Sequence, residues 1–260
     1  MSKPLLALAV LAAALMGAQI QAAEAAPIEV VTSGGFAAAY LRLAPKYEAL
    51  SKDQLHVGWG ASMGETPTAI PLRLARGEAI DVVIMVKPAL DKLAADGKVI
   101  ADSETDLAES RVGMAVRSDR PFPDISTAEK FTAAMRSAKS VFYSDSASGV
   151  YLTTILFPKL GIAAEMAGKS KMIPGDPVAP YILKGDAEIG FQQVSELLPT
   201  KGVTVKAIPE AVQLVTTYSA AVVATSKHKD EARALIRYLA SPAAAADAKA
   251  TGIDPLAAKR

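Results

Sequence analysis

Four short stretches of the 260-residue chain gather small hydroxyl or amide residues at the ends of apolar runs: Thr32-Ser33-Gly34-Gly35, Ala61-Ser62-Met63-Gly64, Ser144-Asp145-Ser146-Ala147-Ser148-Gly149 and Gln192-Gln193-Val194-Ser195. Each leads into a helical pattern. The first turn of such a helix has N–H groups with no intrahelical partner and the positive end of the dipole, and glycine lets an anion approach them closely. Serine hydroxyls add neutral donors. One such stretch is also an ordinary helix cap, but four in alternating units predict a shared anion site where the carboxyl ends of the strands meet.

The alternatives fail on spacing. The first stretch lacks G-x-x-x-x-G-K-[ST] and the full G-x-G-x-x-G, so nucleotide and dinucleotide loops are not supported. Ser33 is not in a G-x-S-x-G context. Of the two histidines, His228 reads as a surface residue at a helix start and His56 as structural within a strand pattern.

The elements that must position these loops follow a repeating order of strand, loop and helix. Pro27–Thr32, Gln54–Trp59 and Asp81–Val86 read as strands; Ala37–Leu50 and Ala69–Arg76 read as helices, the first kinked or broken by Pro45. Arg111–Arg117, Ser140–Tyr143 and Glu188–Gln193 read as further strands, with Val150–Leu160 a helix. Val212–Thr225 reads as one long or two consecutive strands, and Lys229–Leu239 as an amphipathic helix whose acidic start and basic end suit its dipole. This rhythm predicts mostly parallel sheets flanked by helices. The expected division is a signal peptide over 1–22, a first lobe over 23–114, a second over 115–210 and a return to the first over 211–260.

Composition sets further bounds. Lys3, the unbroken apolar run Leu5–Met16 and the small residues near Ala22 have the layout of a cleavable export signal, too short for a membrane span. The chain has 28 Lys and Arg against 27 Asp and Glu, and loss of Lys3 leaves them balanced. Such a balance gives no long-range attraction to nucleic acid or membrane. With no cysteine, an exported chain relies on its core instead of disulfides, and a zinc site is not indicated.

The segments RLARGEAIDVVIMV, RVGMAVRSD, SASGVYLTTILFPKLGI, AEIGFQQVSE and YSAAVVATSKHKDEARALIRYLASPAA, with the SGGF loop, resemble the periplasmic molybdate-binding family of ABC transporter solute receptors. The resemblance implies a type II periplasmic binding protein fold: two α/β lobes around a cleft that closes by hinge motion on a small anion. It also shows departures. Gly35 stands where the family has a serine, Gln193 where it has a tyrosine, and the loop GASMGETPT is longer. These changes suit a larger ligand with flat polar groups that glutamine can pair, such as a small carboxylate.

The same family includes a periplasmic enzyme that interconverts trans- and cis-aconitate, and this chain is similar to it in length, export signal and whole-chain pattern. That resemblance implies an allylic proton shift on a tricarboxylate, with no metal or organic cofactor. Ser33, Gly34, Gly35, Ser62, Ser148, Gly149, Gln192 and Gln193 would then bind substrate, helped by Thr66 and by a cation such as Lys87 or Arg117. Glu65, Lys87 and Asp145 are the candidate bases, each needing a pKa moved toward neutrality; Asp145 also reads as a helix cap. The alternative is a receptor that delivers a small anion to an ABC permease.

Overall fold

The computed structural model describes residues 27–256; the expected export segment, 1–22, lies outside the described residues. The chain runs β1 (Ile28–Thr32), α1 (Gly34–Ser51), β2 (Leu55–Trp59), α2 (Ile70–Ala75), β3 (Val82–Val86), α3 (Lys87–Ala95) and β4 (Thr105–Arg117). It continues through α4 (Ala128–Ser137), β5 (Val141–Ser144), α5 (Ala147–Tyr151), a π-helical turn (Leu152–Leu156), α6 (Phe157–Lys159), α7 (Ala163–Ala167) and β6 (Ser170–Ile173). Then come α8 (Ala179–Lys184), β7 (Ile189–Gln193), α9 (Val194–Leu197), β8 (Val203–Ala207), β9 (Val215–Val222), α10 (Lys229–Leu239), α11 (Pro242–Lys249) and β10 (Asp254–Pro255).

The strand order is β2-β1-β3-β9-β4-β7-β5-β6, with β8 and β10 also paired to β4. Strand β4 is shared by two lobes: Thr105 to Arg111 pair with β9, whereas Val112 to Ala115 pair with β7. Away from this crossing the strands are parallel, β1 with β2 and β3 in one lobe, β5 with β6 and β7 in the other. At the crossing β9 runs antiparallel to β3 and β4, and β7 antiparallel to β4. Alternating apolar patterns give each strand's faces but not its direction, which is why these antiparallel pairs were not visible in the sequence.

Period-two geometry builds the first lobe's core on both faces of its sheet. Val30, Val82, Ile84, Ala220 and Val222 pack toward α1, α10 and α11, while Val31, Val83, Met85 and Ala221 pack with Ile70, Leu90 and Leu93. All five residues of β3 are therefore buried, as a strand covered on both faces requires. Helix α10 buries Ala232, Leu235, Ile236 and Leu239, the i, i+3, i+4, i+7 stripe of an amphipathic helix. Pro45 does not break α1, which continues through it to Ser51. Its ring is exposed next to exposed Leu41, on the face where water can serve the carbonyl that loses its N–H partner.

Candidate active site

The first junction, Thr32-Ser33-Gly34, turns directly from β1 into α1. Ser33 keeps an extended backbone as N-cap, and its N–H still bonds to the Ile84 carbonyl at 2.8 Å, fixing the turn to β3. The Ser33 hydroxyl is buried with no protein partner, and the residue lines a cavity between the lobes. A buried hydroxyl left this way has a proton to give to a ligand or an ordered water.

That cavity encloses about 480 Å3, within the ~300–1,000 Å3 typical of small-ligand sites. From the first lobe its wall takes Ser33, Gly34 and Gly35, the segment Trp59 to Met63, Thr68, Val86 and Tyr218; from the second it takes Ser144 to Ala147, Gly175 to Pro177, Gln192 and Glu196. Ser62 Oγ accepts from the Val86 N–H at 3.0 Å, which leaves its own proton free to donate into the cavity.

Glu196 is the group that the sequence reading passed over. It lies in the third position of α9, and its Oε2 takes the N–H of Gln193, the N-cap, at 3.2 Å. Its Oε1 takes the side-chain amide of Gln192 at 3.2 Å. The carboxyl opens to the cavity and is otherwise enclosed by protein. Burial pushes its pKa up to about 7, the nearby Asp145 charge adding to the rise and the two hydrogen bonds opposing it. A carboxyl raised toward neutrality in this way suits a general base that must also return its proton.

The two glycines of α1 are there for close approach. A Cβ on Gly34 would stand 2.1 Å from Glu196 Oε1, and one on Gly35 would stand 2.0 Å from the Tyr218 hydroxyl. Tyr218 is buried, and burial with the Glu196 charge holds its phenol well above the usual range, so it remains a neutral donor. Ser195, one residue before the carboxyl, donates to the Gly35 carbonyl at 2.7 Å and ties α9 to α1 across the lobes.

The structure brings some of the expected residues to this cavity and leaves others out. Ser33, Gly34, Gly35, Ser62, Asp145 and Gln192 are in its wall. Ser148 and Gly149 lie behind it: Ser148 is fully buried, bonded at 3.2 Å to both Ser144 and Ser146, and Gly149 packs against the Ser144 carbonyl. Gln193 also lies behind, its amide donating to Thr216 Oγ1 at 3.2 Å. Gln192 is committed at both ends, since its Oε1 accepts from the Val178 N–H at 3.0 Å.

Among the candidate bases, Glu65 is exposed and outside the wall. Lys87 is also outside, its ammonium joined to Asp91 at 2.8 Å, to Glu104, and to Asp106 at 4.0 Å; these carboxylates hold its pKa well above the ordinary lysine value, the reverse of what a base needs. Asp145 does face the cavity, but its Oδ2 accepts from the Gly175 N–H at 3.0 Å, and the N-cap of α5 is Ser146. Arg117 pairs with Asp119 at 2.6 Å and borders a separate groove of about 910 Å3 in the second lobe. The signal that would have located Glu196 is its spacing, three residues after Gln193 at a strand end, which is the reach of a capping side chain.

A family model described as bacterial extracellular solute-binding protein matches residues 28–254. The chain belongs to that family. By sequence the chain is similar to an aconitate isomerase of a Pseudomonas species, 46% identical over 233 residues and covering 89% of each chain. In fold, the chain is similar to the periplasmic molybdate-binding protein of Azotobacter vinelandii, with a TM-score of 0.70 at 16% identity over 87% of this chain and 98% of that one. It is also similar to the sulfate-binding protein of Mycobacterium tuberculosis, with a TM-score of 0.68 at 18% identity over 88% and 87%.

Proposed function

We propose that this protein is a periplasmic isomerase that interconverts trans- and cis-aconitate, with Glu196 as the proton-transfer group. The observation that carries the reading is a carboxyl with a pKa near 7 in the wall of a cavity whose first-lobe side offers neutral donors. The relative that is 46% identical over most of the chain supports the substrate. Export through a signal peptide over 1–22 accords with the family's extracellular description.

The chemistry follows from placement. Ionised Glu196 takes a proton from the CH2 carbon, and the electron pair spreads over the allylic carbons into a carboxyl group. The same Glu196 then returns a proton to the former alkene carbon, so the double bond moves by one position and nothing is oxidised or reduced. Ser33, Ser62, the first-turn N–H groups of Gly34 and Gly35, and neutral Tyr218 hold the carboxyl oxygens where charge accumulates, which stabilises the intermediate state. Gln192 orients the Glu196 carboxyl.

The family description supports a second reading, delivery of a small anion to an ABC permease. Glu196 favours the enzyme, because delivery needs donors and gains nothing from an ionisable acceptor beside them. The test is to incubate purified mature protein with trans-aconitate and follow the cis isomer. Turnover establishes the isomerase; no turnover, with tight binding of an inorganic oxyanion by calorimetry, establishes the receptor.

A further inference from the structure

The cavity wall is electrostatically one-sided. Its ionisable side chains are Asp145, Asp176, Glu196 and Tyr218, and among the described residues it has no Lys, Arg or His. Lys87 is occupied by Asp91 and Glu104 outside the wall, and Arg73, which bonds the Trp59 carbonyl from behind, is held by Glu78 at 2.6 Å. A fully ionised tricarboxylate would bring three negative charges to a half-enclosed site that already holds acids, where like charges repel far more than in open water.

The two sides of the cleft also differ in charge, since all three carboxyl groups of the wall, Asp145, Asp176 and Glu196, come from the second lobe. Donors stand on both sides, Ser62 and the first turn of α1 on the first, Ser144 and Ser146 on the second. On the second-lobe side Asp145 takes the Gly175 N–H at 3.0 Å and so fixes the loop that presents Asp176 at the rim. The lobes come close there, with Thr66 Cγ2 3.9 Å from the position of a Cβ on Gly175. A carboxylate oxygen only accepts, so the ligand group that matches Asp145 and Asp176 is a carboxyl that keeps its proton.

We propose that the cleft selects its tricarboxylate in the singly protonated form, and that Asp145 and Asp176 impose the selection; this rests on the isomerase reading for the identity of the ligand. The choice also helps the reaction, because an electron pair spreads more readily into a neutral carboxyl than into a carboxylate. The ionisable groups that share the wall with the two aspartates are Glu196 from α9, whose charge and that of Asp145 act on each other, and Tyr218 from β9. The first-lobe loop contributes no ionisable group to the wall, its Glu65 being exposed outside.

The test uses propane-1,2,3-tricarboxylate, a saturated analogue with no double bond to move, titrated from about pH 6 to about pH 8. Binding is read from Trp59, the only tryptophan of the chain and part of the wall. The host is the Glu196→Gln chain, so that titration of Glu196 does not contribute. Uptake of one proton with the ligand predicts an affinity that falls about tenfold per pH unit once the free ligand is fully ionised. Adding Asp176→Asn, an exposed and structurally safe change, should tighten binding at the highest pH by threefold or more and flatten the slope; Asp145→Asn should act in the same direction. A flat profile in the Glu196→Gln host, or a slope that neither asparagine changes, would overturn the proposal. Wild-type turnover of trans-aconitate is measured separately. Turnover with flat binding removes charge selection alone, whereas pH-dependent binding without turnover supports charge selection and removes the isomerase reading.

Discussion

Glu196 Oε1 sits 2.1 Å from the point that a Cβ on Gly34 would occupy, so the carboxyl of one lobe and the first helix turn of the other fit only because that side chain is absent. Gly34→Ala should displace the carboxyl and lower kcat/KM for isomerisation by about 100-fold, the scale of a small misplacement of a reacting group. Circular dichroism should show the fold retained. Full activity in this variant would mean that Glu196 does not work from this position.

Glu196→Gln keeps the shape of the site but cannot move a proton, and its amide oxygen can accept only one of the two hydrogen bonds that the carboxyl takes. Its kcat should fall by at least about 1,000-fold, within the span general-base catalysis contributes, while calorimetry shows the saturated tricarboxylate still bound. Loss of binding together with rate would recast Glu196 as a structural group.

Stability should carry the same signature. The pKa of Glu196 in the folded protein, about 7, lies above the ordinary glutamate value of 4.5. The folded state therefore binds the extra proton between those values, and the stability this supplies is complete below about 4.5 and lost as pH rises through 7. The stability of Glu196→Gln relative to wild type should be higher near pH 8 than near pH 4 by roughly 1–2 kcal/mol, allowing for screening by cavity water. Urea melts at the two pH values measure the difference; an equal gap at both would contradict the raised pKa.

Gln193, expected from sequence to pair a carboxylate, is bonded to Thr216 behind the wall. Gln193→Ala should leave ligand affinity within about twofold and cost about 1–2 kcal/mol of stability through the hydrogen bond it loses. A tenfold loss of affinity in calorimetry would put it back in contact with ligand.

Much of the fold was legible because it rests on local patterns: the buried run of β3, the stripe of α10 and the strand, loop, helix rhythm each follow from residue periodicity. The loops around Ser33, Ser62, Asp145 and Gln192 were legible as a group, since hydroxyls and glycines that singly read as helix caps recur at four strand ends. What stayed hidden depends on distant pairing. Lys87 looked available at a strand end until Glu104, just before β4, and Asp106, on it, were brought to it. Glu196 looked like one acidic residue in a short helix until α1 and β9 enclosed it. The glycines of α1 read as room for an anion, whereas their van der Waals neighbours are Glu196 and Tyr218.

The most direct test is the rate of cis-aconitate formation from trans-aconitate by the purified protein as a function of pH. The account predicts that kcat/KM rises about tenfold per pH unit on the acid side, levels off through an apparent pKa near 7, and collapses in Glu196→Gln. No turnover, or a rate that neither bends near pH 7 nor depends on Glu196, would contradict it.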